Sequence, residues 1–178
     1  MATILVTGGS GFIGRVFCRR ALDQGWRVIV LTRNSKAAAK RLPSRVELIE
    51  RLSDLDEDLR VEVVVNLAGQ PLAEARWTEA RKRQFIESRV NSTQQLFDFF
   101  SVRKLKPKVV ISGSAVGYYG PGEQPVDETA AGSDGFSHDL CRQWEASAAQ
   151  FEALSCRVCY VRTGIVLGDE GALAKMVP

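Results

Sequence analysis

Histidine and long apolar runs are scarce in this 178-residue chain, and each shortage closes off a class of function. His138 is the sole histidine, and neither it nor Cys18, Cys141, Cys156 and Cys159 are spaced to complete a metal-binding set. Cys156 and Cys159 form a C-x-x-C, but they flank a strand-like segment in which residues three apart point to opposite faces. They are therefore expected to be buried as small apolar side chains. No stretch approaches the roughly 18 consecutive apolar residues of a membrane span. The amino-terminal apolar run is short and leads into a glycine turn, unlike a secretory leader. Strong charge of one sign is missing too: a net charge of +3 and a pI near 8.8 are too mild for a nucleic-acid surface. No repeat, low-complexity tract or linker divides the chain. With 45% hydrophobic and 25% charged residues, it is expected to be one cytoplasmic globular unit with a substantial core, binding neither nucleic acid nor membrane.

What the chain does have is concentrated at its start. In Val6-Thr7-Gly8-Gly9-Ser10-Gly11-Phe12-Ile13-Gly14, three glycines at spacing three separate a strand-like Ile4-Leu5-Val6 from a helix-like run in which Ile13, Val16, Phe17 and Ala21 recur. Strand, glycine turn, helix is the order that cradles a dinucleotide phosphate. Gly8 would make the tight turn, Gly11 would let the backbone approach a pyrophosphate, Gly14 would let the helix pack closely, and free N–H groups at the helix start would hold the anion. Gly25 can end the helix, and Arg27 to Thr32 supplies a second strand. The residues that follow, Thr32-Arg33-Asn34-Ser35-Lys36, contain no carboxylate to hold a ribose 2′-hydroxyl. They offer instead the Arg33 fork, the Ser35 hydroxyl and the Lys36 charge to a 2′-phosphate. The expected cofactor is NADP, with NAD the lesser alternative; the plain alternative is that Arg33 and Lys36 are solvated loop charges.

Further along, strand signals at Val46–Ile49, Val61–Leu67, Lys108–Ser112 and Arg157–Arg162 alternate with helical ones. Helices are predicted over Trp77–Val90, over Asn91–Val102, separate from it or continuous with it, and over Asp134–Leu154. In the last, Leu140, Trp144, Ala148 and Phe151 share a face. Strands separated by helices predict an α/β fold with a doubly wound parallel sheet. Tyr119 to Gly135, with Pro121, Gly122, Pro125 and Gly132 among acidic residues, reads as a loop that borders a substrate cleft.

Four segments together resemble the extended short-chain dehydrogenase/reductase superfamily, and within it the nucleotide-sugar-epimerase-like "epimerase family" proteins. They are Thr7 to Gly14, Asn66-Leu67-Ala68-Gly69, Ser112-Gly113-Ser114-Ala115-Val116-Gly117-Tyr118-Tyr119-Gly120, and Val161 to Gly168. Arg76-Trp77, Ser88-Arg89 and Leu140 to Glu145 carry the likeness to the smaller group. The resemblance implies an NAD(P)-binding Rossmann domain over residues 1–178, with Leu67, Ala68 and Gly69 close to the cofactor's adenosine. It also implies a carboxyl-terminal substrate lobe, which this chain is expected to stop short of, and self-association as a homodimer through the long helices.

The resemblance further implies a proton relay of Ser or Thr, Asn, and Tyr-x-x-x-Lys. Ser114 matches, and it is placed just beyond the fifth strand. Anchoring on Glu145 sets Ser137 at the tyrosine position and Cys141 at the lysine position, and Arg89 stands where the asparagine would align. Neither Ser137 nor Cys141 can reproduce the acid/base pair. The substitutes in view are the phenols of Tyr118 and Tyr119, which equally suit a cleft wall, and His138, which equally suits a structural role. Arg89 is a candidate to bind cofactor or an anionic substrate, or to make a helix-surface ion pair. The chain therefore reads as an NADP-dependent oxidoreductase or epimerase acting by hydride transfer on a small carbonyl, hydroxyl or sugar-type substrate. The alternative is a non-catalytic NADP(H)-binding regulatory or interaction module.

Overall fold

Short apolar runs such as Ile4-Leu5-Val6 and Val28-Ile29-Val30 carry hydrophobic residues on both faces of a strand, so their sheet must be covered on both sides. A computed structural model describes residues 1–72, 76–168 and 170. It places six parallel strands in the order β3-β2-β1-β4-β5-β6. These are β1 (Thr3–Thr7), β2 (Arg27–Leu31), β3 (Glu47–Ile49), β4 (Val63–Asn66), β5 (Val109–Ala115) and β6 (Arg157–Thr163). Four α-helices connect them: α1 (Phe12–Asp23), α2 (Ser35–Ala39), α3 (Glu79–Val102) and α4 (Phe136–Ala149). The doubly wound parallel architecture is the one the alternation of segments predicts.

Strand periodicity sorts the core into two layers. Ile4, Val6, Val28, Val30 and Val65 pack with Cys18, Ala21 and Leu22 of α1 and Ala38 of α2. Leu5, Ile29, Val64 and Val110 point the other way, onto Leu96 and Phe100 of α3 and Phe151 beyond α4. Each such side chain is worth about 1.5–3 kcal/mol when fully buried. The predicted α4 face is buried throughout, at Leu140, Trp144, Ala148 and Phe151. Burial also pushes the Cys18 thiol up to about 11, although a backbone hydrogen bond opposes it; this cysteine is core filling.

Several expectations change. Ile13 and Val16 do not face the core; they are 41% and 46% exposed. The buried stripe of α1 is Gly14, Cys18, Ala21 and Leu22, because the side without a Cβ at Gly14 is the side that lies against the turn. The segment from Trp77 to Val102 is one helix beginning at Glu79 and capped by Thr78, whose hydroxyl accepts from Arg81 N–H. Ser35 opens the short helix α2, so Lys36 is a helix residue and not a loop charge. Asn34 caps it by accepting from Ala37 N–H at 2.9 Å. Cys156 is buried but Cys159, on edge strand β6, is only half-buried. β5 runs three residues past Ser112, so Ser114 lies inside a strand.

Candidate functional site

Between β1 and β4 the strand order reverses, and in open parallel sheets ligands bind at the carboxyl ends beside that switch. A cleft of about 1020 Å³ opens there. Of the residues expected to hold cofactor, Thr7, Gly8, Ser10, Gly11, Arg33, Leu67, Ala68 and Gly69 line it. Gly8 has φ +67°, a left-handed turn conformation, and its carbonyl accepts from Gly11 N–H at 3.0 Å. A methyl on Gly11 would meet Gly8 O at 3.1 Å and nothing else within 4 Å, so it would project into the cleft. That open cradle in front of the α1 amino terminus fits a pyrophosphate.

The other expected residues stand around the cleft. Gly9 packs against Val30, and Gly14 lies against the backbone of Gly8 and Gly9. Phe12 turns its ring toward Gly168. Behind the loop, Thr7 donates to Asn66 Oδ1 at 2.6 Å and accepts from Ala68 N–H at 3.2 Å. Asn66 then donates to Thr93, which donates to the Arg89 carbonyl, both at 2.7 Å. This buried chain ties the ends of β1 and β4 to α3 with its polar groups satisfied.

At the far end of the cleft, Arg33 is exposed and makes no salt bridge among the described residues. Arg41, on the same wall, is held by Glu170 at 2.6 Å. The segment Thr32 to Lys36 holds no carboxylate, but the fold brings one to the cleft. Glu50, following β3, accepts from Ser35 N–H at 2.9 Å and also lines the cleft. Hydrogen bonds from Ser35 hold its pKa below the usual carboxylate value.

Ser114, Tyr118, Tyr119 and His138 gather in a second cluster built on Arg162 of β6. Ser114 is 3% exposed and donates to Glu145 Oε1 at 2.6 Å. Arg162 clasps the same carboxylate with Nε on Oε1 and Nη2 on Oε2, both at 2.9 Å, and donates from Nη1 to the Tyr119 oxygen at 2.8 Å. Its guanidinium lies 3.6 Å from the Tyr118 ring centroid. Burial would push the Glu145 carboxyl up, but hydrogen bonds from Arg162 and Ser114 prevail and hold it below its ordinary value. The Arg162 guanidinium is correspondingly raised, chiefly by Glu145. His138 Nδ1 sits 2.7 Å from the Tyr118 carbonyl, to which it must donate because a carbonyl only accepts.

Ser137 packs on Gly117, and Cys141 Sγ contacts Ala115 O at 3.6 Å. The two replaced positions therefore do face the strand end that carries Ser114. Burial raises the Cys141 thiol, which removes it further from a lysine's chemistry.

Arg89 joins the two regions. It is 8% exposed, so it is not a helix-surface ion pair. Its Nη1 donates to Phe85 O at 3.0 Å and its Nη2 to Gln70 O at 3.1 Å, while the guanidinium lies 5.1 Å from the Trp144 ring. Missing Cβ atoms make room for both groups, at Gly69 beside Arg89 and at Gly113 beside Trp144. Burial pushes the pKa of the Arg89 guanidinium down from its free value.

Glu145 and Arg162 are the two site residues that the sequence reading passes over. The signal for Glu145 is present: it follows Trp144 on the buried stripe of α4, where periodicity calls for an apolar residue. Arg162 carries no such mark, because an edge strand accommodates charge freely.

The sequence profile of the NAD dependent epimerase/dehydratase family matches residues 4–175. The chain is 34% identical over 177 residues to the epimerase family protein YfhF of Bacillus subtilis, covering 98% of this chain and 58% of that protein. It superposes on the human epimerase family protein SDR39U1, solved with NADPH, with a TM-score of 0.81 and 28% identity, over 98% of this chain and 58% of that one. The nucleoside-diphosphate sugar epimerase of Corynebacterium glutamicum gives a TM-score of 0.77 at 27% identity, over 98% of this chain and 36% of that one. The chain thus spans little more than half the length of the curated relatives it matches. Profile, sequence likeness and fold agree, and the chain belongs to the NAD dependent epimerase/dehydratase family.

Proposed function

We propose that this chain is the NADP(H)-binding part of an oxidoreductase or epimerase-like enzyme that interconverts C–OH and C=O on a small carbonyl, hydroxyl or sugar-type substrate. The observation that carries it is Arg33, an exposed guanidinium without a carboxylate partner among the described residues, on the wall of the cleft that begins at the glycine loop. Backbone N–H groups of the first turn of α1, from Phe12 to Gly14, would hold the pyrophosphate, and the Arg33 fork suits a 2′-phosphate. The NADPH in the solved human relative supports this choice. When bound, the nicotinamide gives or takes a hydride. The chain's own part is to hold the dinucleotide across β1 and β4 and to manage a proton near Tyr119. Ser114 offers only lone pairs to a substrate hydroxyl, since its proton is committed to Glu145.

Replacing Arg33 by glutamate is expected to weaken NADP(H) binding by about 1–3 kcal/mol, or roughly ten- to a hundredfold. NAD(H) binding should change little. Calorimetric titration of both nucleotides checks this, and equal losses for the two would remove the 2′-phosphate assignment.

One observation favours a second reading, a binding module without catalysis: Ser137 and Cys141 occupy the positions of the Tyr-x-x-x-Lys pair and pack against Gly117 and Ala115. Incubation of the intact protein with NADPH and a panel of carbonyl compounds separates the readings. Cofactor oxidation supports the enzyme, and tight binding without oxidation supports the module.

A further inference from the structure

We propose that Tyr119 is the acid that protonates a substrate oxygen, and that Arg162, clamped by Glu145, does for it the work of the missing lysine. The proposal rests on the oxidoreductase reading above. Among the described residues, Tyr119 is the phenol whose oxygen touches a cation while its own proton stays unengaged; Tyr118 presents its ring, and not its oxygen, to Arg162. Ser114 is buried and donates to Glu145. His138 donates from Nδ1 to the Tyr118 carbonyl, and the Tyr118 ring lies under the Arg162 guanidinium. The Tyr119 oxygen, by contrast, accepts from Arg162 Nη1 at 2.8 Å, which leaves its own O–H free to donate elsewhere. Tyr119 is half-buried and follows the turn Val116–Tyr118 at the carboxyl end of β5, the edge where parallel sheets place their ligands.

Arg162 is held rigidly enough to act as a fixed positive charge. Two parallel N–H bonds run to Glu145, the Tyr118 ring covers one face, and the Glu128 carbonyl accepts from Nη1 at 3.3 Å. An N–H donated by a cation binds a phenolate more strongly than a phenol, so the contact tightens as the Tyr119 proton leaves. A helix places a lysine one turn from a tyrosine; here strand β6 brings a guanidinium to the phenol from the other side of the site.

The proton count closes. In carbonyl reduction the substrate carbon would gain a hydride, which a reduced nicotinamide dinucleotide would supply, and the C=O π electrons would move to oxygen. The Tyr119 O–H bond breaks, its proton joins that oxygen, and the phenolate stays beside Arg162 until solvent returns a proton.

The test uses the intact protein, NADPH and the carbonyl panel. Tyr119→Phe is expected to lower kcat by about a hundred- to ten-thousandfold, with KM and calorimetric NADPH affinity unchanged. Arg162→Lys should keep a measurable part of kcat and Arg162→Gln should not. A second readout needs neither cofactor nor turnover. In protein labelled with ¹³C at the tyrosine ζ-carbon, the Tyr119 resonance should move in Arg162→Gln, where the N–H donor is lost. An unchanged kcat in Tyr119→Phe overturns the acid role. An unmoved Tyr119 resonance in folded Arg162→Gln, or full activity in that variant, overturns the part given to Arg162. Absence of any turnover by the unmodified protein defeats the oxidoreductase reading and this role with it, a result distinct from turnover that survives Tyr119→Phe.

Discussion

Glu145→Ala is expected to destabilise the fold by about 3–5 kcal/mol, the range for removing one partner of a buried ion pair. The two side chains are only 11% and 17% exposed. Truncating Glu145 would leave Arg162 Nε and Nη2 and the Ser114 hydroxyl without their acceptor. It would also strand a positive charge beneath the Tyr118 ring. Exposed pairs are a useful contrast: Lys82 with Glu79, on the surface of α3, should contribute little to stability. Urea unfolding of Glu145→Ala and Glu79→Ala therefore orders the two pairs directly, and a near-equal midpoint shift would mean that Arg162 finds water or another acceptor once Glu145 is gone.

The pH dependence has a fixed sign. In the folded chain, hydrogen bonds from Arg162 and Ser114 overcome burial and hold the pKa of Glu145 below the ordinary carboxylate value. Its contribution is therefore complete above the ordinary carboxylate range and is lost as pH falls through the depressed folded value. The stability gap between the unaltered chain and Glu145→Ala should be constant from neutral pH to about pH 5 and should narrow below that. A gap that stays wide in acid would mean that shape, rather than charge, makes the pair stabilising.

Local signals predict the sheet and the cleft because they act within a few residues. Gly8, Gly11 and Gly14 are spaced along one turn, and Leu67 to Gly69 end the strand paired with β1. The acid/base cluster joins residues 114, 119, 145 and 162, which only tertiary folding brings together. Nothing in spacing indicates that the hydroxyl of Ser114 serves a carboxylate, or that β6 carries the guanidinium that reaches Tyr119. Ile13 fails for a subtler reason. Apolar spacing fits two helical faces of α1, and the buried one is chosen by Gly14, whose missing side chain lets the backbone approach. The place of Glu50 beside Ser35 is likewise invisible in the sequence, because it arrives from the end of a neighbouring strand.

Two glycines in the same turn are expected to respond in different ways. A Cβ on Gly14 would fall on Gly8 O and lie 2.7 Å from Gly9 Cα and 2.9 Å from Gly9 O, all backbone atoms of the turn. Helix propensity alone favours Gly14→Ala by about 0.8–1.0 kcal/mol. Overpacking against atoms that cannot swing aside costs about 1–3 kcal/mol, and sometimes more. The clash wins, so Gly14→Ala should lower the unfolding midpoint and, by displacing the turn's N–H groups, weaken NADP(H) as well. Gly11→Val differs. Gly11 has φ −72° and ψ 175°, which valine adopts without backbone strain; its Cβ would press on Gly8 O at 3.1 Å, and its methyl groups would otherwise meet the open cleft. Stability should fall less than in Gly14→Ala, since valine is a poorer N-cap than glycine, while binding of both NADP(H) and NAD(H) falls about a hundredfold, the loss of one or two charge-assisted hydrogen bonds. If Gly11→Val binds either nucleotide as tightly as the unaltered chain, the pyrophosphate does not lie over this turn. If Gly14→Ala instead raises the midpoint, α1 can lift away from the turn, and the close approach is not what holds it there.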